Sequence, residues 1–264
     1  MEMLFRTLLA IYLAHLLADF VFQTDRLVEQ KRRRRPSAYL LHGLIHYLSA
    51  VILVGFFVPG SIVASRTHLV IAGLTLVHLL IDLGKMQLTA KHLIRDGAGA
   101  YVIDQLVHFL TVVLAAWLLL PGVSFHVLAA LIQTSRGTAN KYLAVPVIYV
   151  GVIFGGGYLI RFLTRSLAEK VKVPETEKSG EQLQNAGLYI GWLERFLVLT
   201  ALLLQSPSAV GLILATKAIV RYPEFKSVRF AEYVLIGTLL SVSLAFVGGL
   251  FLAWLLVGQA RLSG

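Results

Sequence analysis

Apolar residues along this chain are grouped into long runs rather than distributed at amphipathic spacing. Seven runs approach the length of about 20 residues that a helix needs to cross a bilayer, and they lie near 3–23, 38–58, 68–86, 101–120, 142–163, 187–204 and 230–256. An eighth run, near 207–221, is shorter, and the apolar segment 125–132 is too short to cross. The pattern predicts an all-α, polytopic helical membrane protein with about eight transmembrane helices.

The composition agrees with a membrane environment. Apolar residues make up 57% of the 264 positions and charged residues 14%, whereas soluble proteins have roughly 25% charged residues. Mean hydropathy is +0.77. The chain has no cysteine, which excludes disulfides and thiolate ligands. Because the first run lacks a basic leader and a cleavage site, we expect a retained helix rather than a signal peptide.

The net charge of +10 is unevenly distributed. If the basic run Lys31–Arg35 is cytoplasmic, the loops on that side hold 17 of the 24 Lys and Arg residues, and the opposite side holds 5. This asymmetry follows the positive-inside rule and predicts eight crossings with both termini outside. We interpret Lys31–Arg35 as a topological anchor, with binding of anionic lipid or nucleotide as the alternative. Nucleic acid is not expected as a partner.

Ionisable residues recur at matching positions in the first four runs. The segment Ala14–Asp19 is similar to Val77–Asp82, 63 residues later, and Ala38–Leu48 is similar to Ala100–Leu110, 62 residues later. The repeat predicts a duplicated helical hairpin that forms an N-terminal four-helix bundle. Each helix carries two ligand-type side chains four residues apart, which places both on one face.

These eight side chains fall at two depths, measured from the cytoplasmic ends of the helices. The inner tier is His15, His46, His78 and His108. The outer tier, roughly 6 Å nearer the cytoplasm at helical rise, is Asp19, His42, Asp82 and Asp104. Ionisable groups in hydrocarbon cost a few kcal/mol each and need compensation. We expect the tiers to converge on one or two divalent transition metal ions; Asp–His pairing without metal is the alternative.

Imidazole and carboxylate ligands favour zinc, with iron, manganese or nickel as alternatives. Three polar residues flank the cluster at its cytoplasmic mouth: Gln23, Lys85 and Gln105. They are candidates for orienting a substrate or supporting the ligands, and snorkelling at a helix end is the alternative for Lys85. Three further histidines are expected to be solvated: His68, His92 and His126.

The chain is predicted to have four parts. Residues 1–120 form the four-helix domain with the metal centre, 121–169 an outer interfacial segment and the fifth transmembrane helix, 170–185 a cytoplasmic linker, and 186–264 C-terminal membrane helices. Segment 207–221 covers only about 22 Å at helical rise. If it does not cross, the number of crossings falls to seven.

The last part carries charges within or beside its apolar runs: Glu194, Arg195, Lys217, Arg221 and Glu232. Neighbouring residues on a helix point in different directions and need different partners. We expect Lys217 to pair with Glu194, and Glu232 to pair with Arg195 or with Arg221, so that ion pairs join three helices. The alternative is an anion site, in which the three cations bind phosphate or carboxylate.

Several of these motifs resemble a bacterial multi-pass inner-membrane family known as domain of unknown function 3307. They are 185–195, 215–221 and 231–238, together with His15-x3-Asp19-x3-Gln23 and Asp104-Gln105-x2-His108. The resemblance covers essentially the whole chain and implies an inner-membrane location without assigning an activity. A looser likeness exists to membrane-embedded metal-dependent hydrolases with His-x3-Asp and His-x3-His pairs on several helices.

Together these features predict a metal-dependent hydrolase that acts on a lipid-like or membrane-accessible substrate near the cytoplasmic leaflet. Metal-activated water would attack an ester, amide or phosphoester, and an unligated outer-tier Asp would take its proton. One alternative is a metal or proton-coupled transporter that uses the same site. Another is a membrane scaffold or sensor with a structural polar cluster. The expected partners are membrane lipid and a lipid-like substrate.

Overall fold

The computed structural model describes residues 2–120, 138–170, 186–221 and 228–257. Helices are the only regular elements within these ranges, which agrees with the expected all-α class. The helices are α1 (Glu2–Phe20), α2 (Asp25–Arg32), α3 (Pro36–Phe57), α4 (Ser65–Ala90), α5 (Ala98–Leu119), α6 (Thr138–Val150), α7 (Gly156–Lys170), α8 (Ala186–Leu203), α9 (Ser208–Arg221) and α10 (Val228–Val257). A π-helical turn, Gly151–Gly155, joins α6 to α7.

Six helical segments among the described residues are long and apolar enough to cross a membrane: Glu2–Phe20, Pro36–Phe57, Ser65–Ala90, Ala98–Leu119, Asn140–Ala168 and Val228–Leu256. The other two expected crossings correspond to α8 and α9. With 14 residues, α9 is shorter than the roughly 20 that a perpendicular crossing needs. A count of eight therefore stays a prediction.

Local sequence explains how α2 fits between the first two spans. Thr24 caps α2, since its Oγ1 accepts a hydrogen bond from the Leu27 backbone N–H at 3.3 Å. Pro36 begins α3, where its missing N–H costs no helical hydrogen bond. On α2 itself, Leu27 and Lys31 are one helical turn apart and are buried, at 4% and 6% exposure. The short helix is therefore amphipathic, and one of its two buried side chains is charged.

The structure divides into two compact units, Met1–Val150 and Gly151–Gly264. In the first unit α1, α3, α4 and α5 form a closed ring: α1 packs against α3 and α5, and α4 packs against the same two helices. In addition, α6 packs against α1. Large apolar side chains such as Leu40, Ile52, Leu69 and Leu110 are exposed on α3, α4 and α5, as hydrocarbon-facing positions should be. The inward faces of the four helices enclose the predicted ligands.

The second unit is built around α8 and α10. In this unit α10 packs against α8 and α7, and α9 packs against α8. Its core contains Val198, Leu202, Val210 and Ala245. The helices approach closely at Gly249, where an added Cβ would lie 2.5 Å from Leu202 Cδ1. Small residues at such contacts let helix backbones meet, which is the usual packing device in membranes.

Parts of three predictions lie outside the described residues. These are the interfacial segment 125–132 with His126, the linker residues 171–185, and the side chain of Arg221.

Candidate metal centre

The eight side chains that the repeat singles out lie together inside the α1–α3–α4–α5 ring. All four inner-tier imidazoles are buried, with exposures of 1–7%. The centroids of neighbouring rings are 3.8 Å apart for His46 and His78, 4.4 Å for His78 and His108, and 5.1 Å for His15 and His108. The inner tier is thus a compact cluster of imidazoles, formed by one side chain from each of the four helices.

The tightest convergence is on one oxygen of Asp19. Its Oδ1 lies 2.9 Å from His46 Nε2, 3.3 Å from His42 Nε2 and 3.6 Å from His78 Nε2. His15 Nε2 lies 3.5 Å from Asp19 Oδ2. A tetrahedral zinc ion with bonds of about 2.0–2.1 Å separates its ligand atoms by roughly 3.3–3.4 Å. The separations from Asp19 bracket this value, and two contacts are already hydrogen bonds: His46 Nε2 to Asp19 Oδ1 at 2.9 Å and His42 Nε2 to His78 Nε2 at 3.1 Å. His15, Asp19, His46 and His78 each offer one ligand atom within 4.8 Å of the others, and we call these four residues the Asp19 set.

Two further groups of potential ligands overlap through Asp82. One is His42, His78 and Asp82, and the other is Asp82, Asp104 and His108; within each, one ligand atom per residue lies within 4.8 Å of the others. Carboxylates shared between neighbouring positions are typical of two-metal sites, where the ions are about 3.5–4 Å apart. The geometry therefore accommodates one ion at the Asp19 set and has ligands for another nearer α2.

Several buried polar atoms in this cluster have no hydrogen-bond partner among the described residues: His15 Nε2, His108 Nε2, Asp104 Oδ1, His42 Nδ1 and His78 Nδ1. Each such atom costs about 1–3 kcal/mol, so native proteins keep few of them. A metal ion would provide a partner for the two Nε2 atoms and the carboxylate oxygen. The two Nδ1 atoms would still lack the acceptor that usually fixes a ligating imidazole.

Lys31 is a member of this cluster that sequence reasoning missed. Its Nζ lies 2.6 Å from Asp82 Oδ2 and 2.9 Å from Gln23 Oε1, and the residue is buried. The rest of the basic run, Arg32–Arg35, is exposed as an anchor should be. The signal for Lys31 was available in the sequence, since Leu27 and Lys31 are four residues apart on one face of a short helix.

The three flanking residues all contact the outer tier or its ammonium partner. Lys85 Nζ lies 2.9 Å from Asp104 Oδ2, and the Gln105 amide donates to the same oxygen at 3.4 Å. Gln23 accepts a hydrogen bond from Lys31. Lys85 therefore neutralises a carboxylate of the cluster, in addition to reaching toward the helix end. Each of Asp82 and Asp104 thus has a lysine partner.

Of the two described histidines outside the eight-residue cluster, one is less exposed than expected. His68 was expected to be solvated, but it is half-buried and its Nδ1 shares a hydrogen bond with the Tyr47 hydroxyl at 2.8 Å. The prediction failed because the partner lies on α3, about 20 positions earlier in the chain, where the sequence gives no pairing signal. His92 is exposed, as expected.

A cavity of about 20 Å³ adjoins the inner tier on the side away from α2. Its walls include His15, His46 and His78, with Thr75 and Thr111 and otherwise apolar side chains. A cavity needs roughly 10–15 Å³ to hold a water molecule. There is therefore room for one water molecule directly beside the imidazoles.

Comparison with known proteins identifies only the amino-terminal part of the chain. Residues 7–135 match the family model described as protein of unknown function (DUF3307). No curated protein matches the chain, and no solved structure matches it. The DUF3307 match includes all eight tier residues. The expected resemblance is thus confirmed for this part, whereas the motifs at 185–195, 215–221 and 231–238 lie outside the match.

Beyond the DUF3307 match, the second unit contains one of the expected ion pairs. Lys217 Nζ lies 2.7 Å from Glu194 Oε2. The two side chains are 18% and 11% exposed, respectively. This contact joins α9 to α8, as the sequence predicted. Glu194 Oε1 is buried and has no hydrogen-bond partner among the described residues, so the carboxylate depends mainly on Lys217.

Arg195 does not pair with Glu232, so this arm of the prediction is wrong, whereas its other arm, Glu232 with Arg221, lies outside the described side chains. The guanidinium donates from Nε and Nη2 to the Ile153 carbonyl, at 3.0 and 2.8 Å, and from Nη1 to Ser241 Oγ at 3.0 Å. Glu232 is exposed. The acceptor belongs to the π-helical turn, where the normal helical hydrogen-bond pattern is interrupted. Because these donors are used within the protein, Arg195 is not directed toward an anion site.

Two glycines make room for this guanidinium. An added Cβ at Gly157 would lie 2.7 Å from Arg195 Nη2, and one at Gly191 would lie 3.3 Å from Nη1. The arginine therefore lies directly against the backbones of α7 and α8.

Proposed function

We propose that this chain is a membrane-embedded, metal-dependent hydrolase that acts on a lipid-like substrate near the cytoplasmic leaflet of a bacterial inner membrane. The observation that supports this most directly is the convergence of three imidazole nitrogens on Asp19 Oδ1, at 2.9–3.6 Å. Bound zinc would supply a Lewis acid and would lower the pKa of a water molecule.

The residues divide into ligands and charge partners. The Asp19 set would hold the first ion, because its four ligand atoms lie within 4.8 Å of one another. Asp82 and Asp104, which are paired with Lys31 and Lys85, lie on the α2 side. With zinc bound, one of these two carboxylates would be the group that takes the proton from the attacking water.

The basic residues at the α2 end of the ring indicate that substrate reaches the centre from the cytoplasmic side. The α2 end of the ring carries the exposed Arg32–Arg35, and clustered Arg and Lys favour the cytoplasmic side. In the opposite half of the ring the buried side chains are mostly apolar, such as Ile11, Val54, Ile71 and Val112, and the buried polar ones include the hydroxyls of Thr7 and Thr67. A transporter would need a polar route through this half, so the hydrolase is the better-supported function.

The first experiment is metal analysis of detergent-purified protein after growth with added zinc. We expect about one zinc ion per chain at the Asp19 set and near-complete loss in His78→Ala. The matched control is His92→Asn, because His92 is exposed outside the ring and has a positive φ of 56°, which Asn tolerates. Wild-type protein with substoichiometric zinc, iron, manganese and nickel would refute the metal centre.

The second experiment tests whether the metal-loaded protein hydrolyses an ester or transports zinc. Metal-loaded protein is assayed with bis(p-nitrophenyl) phosphate and p-nitrophenyl butyrate, and also for zinc uptake in proteoliposomes. We expect hydrolysis of one ester that chelation abolishes, that zinc restores and that His78→Ala lacks. Zinc uptake without hydrolysis would replace the hydrolase with a transporter. A stable wild-type protein that binds zinc but shows neither property would support a structural centre.

A further inference from the structure

Lys31 and Lys85 offset part of the negative charge of the carboxylates in the candidate metal centre. The described cluster contains three carboxylates, of Asp19, Asp82 and Asp104, and two ammonium groups, of Lys31 and Lys85. Ligating imidazoles are neutral, so these groups together carry one net negative charge. A divalent ion at the Asp19 set converts this to one net positive charge. In a low-dielectric surrounding an unbalanced charge is costly, so the loaded centre is suited to receive an anion.

The two ammonium groups lie beside neighbouring carboxylates of the cluster and retain hydrogen-bonding capacity. Asp82 and Asp104 provide oxygens within 4.8 Å of each other, and each carboxylate has its own lysine. An ammonium group has three donors. Lys31 uses two of them, for Asp82 and Gln23. Lys85 uses one, for Asp104, and its side chain is 31% exposed. At the α2 end of the ring, Lys85 therefore presents two unused donors at a partly exposed side chain, and the buried Lys31 keeps one.

The amides beside the lysines extend this donor surface. Gln23 accepts the Lys31 hydrogen bond through Oε1, which leaves its NH₂ group as a donor. Gln105 Nε2 donates at the long distance of 3.4 Å to Asp104 Oδ2, so it can change partner at little cost. A phosphodiester has two unesterified oxygens and two ester oxygens around a tetrahedral phosphorus, so it can accept from donors on more sides than a planar carboxylate can.

Apolar side chains close to this surface indicate where the rest of the ligand lies. Val21 and Phe22, which follow α1, are 41% and 48% exposed, and Leu40 and Leu41 on α3 are 73% and 50% exposed. Gln23 directly follows the first two, and His42 directly follows the second two. An amphiphile with its phosphate at the lysines would therefore find apolar surface for its acyl chains.

We propose that Lys31 and Lys85 bind the phosphate of a singly charged phosphodiester lipid at the α2 end, next to the metal at the Asp19 set. This rests on the proposed function, because the positive charge that attracts the phosphate includes the metal. The two lysines are specificity-determining residues: they select an anionic headgroup, whereas the Asp19 set supplies the metal.

The test is calorimetric titration of zinc-loaded, detergent-purified protein with three probes: dihexanoyl phosphatidylglycerol, dihexanoylglycerol and inorganic phosphate. We expect the phosphatidylglycerol to bind at least about tenfold more tightly than dihexanoylglycerol, because only the former can accept charge-assisted hydrogen bonds. Inorganic phosphate should bind more weakly than the lipid, since it lacks the acyl chains. Tighter binding of inorganic phosphate than of the lipid would overturn the lipid source.

Variants locate the binding surface. Lys85→Met is expected to weaken phosphatidylglycerol binding roughly tenfold and to leave dihexanoylglycerol binding unchanged. Lys31→Met should have the same effect, and Lys85→Arg should retain most of the affinity. Lys91→Met is the matched control, because Lys91 is exposed just beyond α4. If Lys31→Met impairs folding, the less buried Lys85 decides the question.

Zinc content is measured on every sample, which separates the two proposals. Absence of zinc from the wild type would refute the proposed function. Wild-type zinc with equal affinity for phosphatidylglycerol and dihexanoylglycerol would overturn only the phosphate proposal. Phosphatidylglycerol binding that survives both lysine substitutions in zinc-containing protein would also overturn it. Loss of zinc in Lys85→Met would assign the lysine to support of the ligands and would likewise count against an anion site.

Discussion

Arg195 provides a prediction whose magnitude follows from counted hydrogen bonds. Its guanidinium donates twice to the Ile153 carbonyl and once to Ser241 Oγ, at 2.8–3.0 Å, and the residue is 4% exposed. Arg195→Met preserves much of the apolar length of the side chain and removes every donor. The carbonyl of the π-helical turn then remains buried without this partner.

The expected loss can be bounded. A hydrogen bond to a charged group contributes about 1.5–3 kcal/mol, and an orphaned buried acceptor costs about 1–3 kcal/mol. Two of the three bonds share one acceptor, and removal of a buried charge returns part of its desolvation cost. We therefore expect Arg195→Met to lower the free energy of unfolding by about 3–5 kcal/mol. Ser241→Ala removes one bond and should cost about 1–2 kcal/mol.

The assay is reversible unfolding by sodium dodecyl sulfate in dodecylmaltoside micelles. Tryptophan fluorescence is a suitable signal because Trp192 packs edge-on against Phe154, with 4.7 Å between ring centroids, beside the π-helical turn. The matched control is Ser243→Ala, an exposed position on α10, which should change stability by less than about 0.5 kcal/mol. If Arg195→Met were as stable as this control, the guanidinium would not be what stabilises the π-helical turn.

Two further predictions concern close packing and the ion pair in the same unit. Gly249→Ala places a Cβ 2.5 Å from Leu202 Cδ1 and should lower the free energy of unfolding by about 1–3 kcal/mol. The control is Gly237→Ala, whose added Cβ would have no contact within 4 Å, and it should be neutral or raise stability by up to about 1 kcal/mol. Equal shifts of the two variants in the same detergent titration would contradict the packing argument. Lys217→Met removes the ammonium 2.7 Å from Glu194 and should cost about 2–4 kcal/mol, since the pair is mostly buried. Adding Glu194→Gln should recover most of that loss, and a double variant no more stable than Lys217→Met would show that the pair is not the cause.

The sequence was sufficient to predict the four-helix ring and its eight inward-facing polar side chains for a simple physical reason. Two side chains four residues apart share a helix face, and the members of each tier lie at a similar depth because the helices are expected to span one slab of hydrocarbon. The four spans of the first half agree with the expected runs to within a few residues. The duplication of a hairpin, in contrast, is an evolutionary statement and stays a prediction.

Tertiary contacts account for what the sequence did not reveal. Lys31 was assigned to a basic anchor, because its burial depends on how α2 docks beneath the ring. Arg195 was expected to pair with a carboxylate, because a free carbonyl in a π-helical turn has no sequence signature. His68 and Tyr47 are paired across two helices. In each case the residue type was noticed, but its partner was fixed by packing.

The ring also bears on how the chain enters a bilayer. Asp19 of α1 contacts His46 of α3, and Asp82 of α4 contacts His108 of α5, so each consecutive pair of spans neutralises part of its own polarity. A single span carrying both a carboxylate and an imidazole would enter hydrocarbon at a cost of several kcal/mol, and its neighbour in the chain reduces that cost. Contacts between the two pairs, such as His42 with His78 at 3.1 Å, complete the compensation, so the cost of the polar interior falls step by step as the four spans assemble.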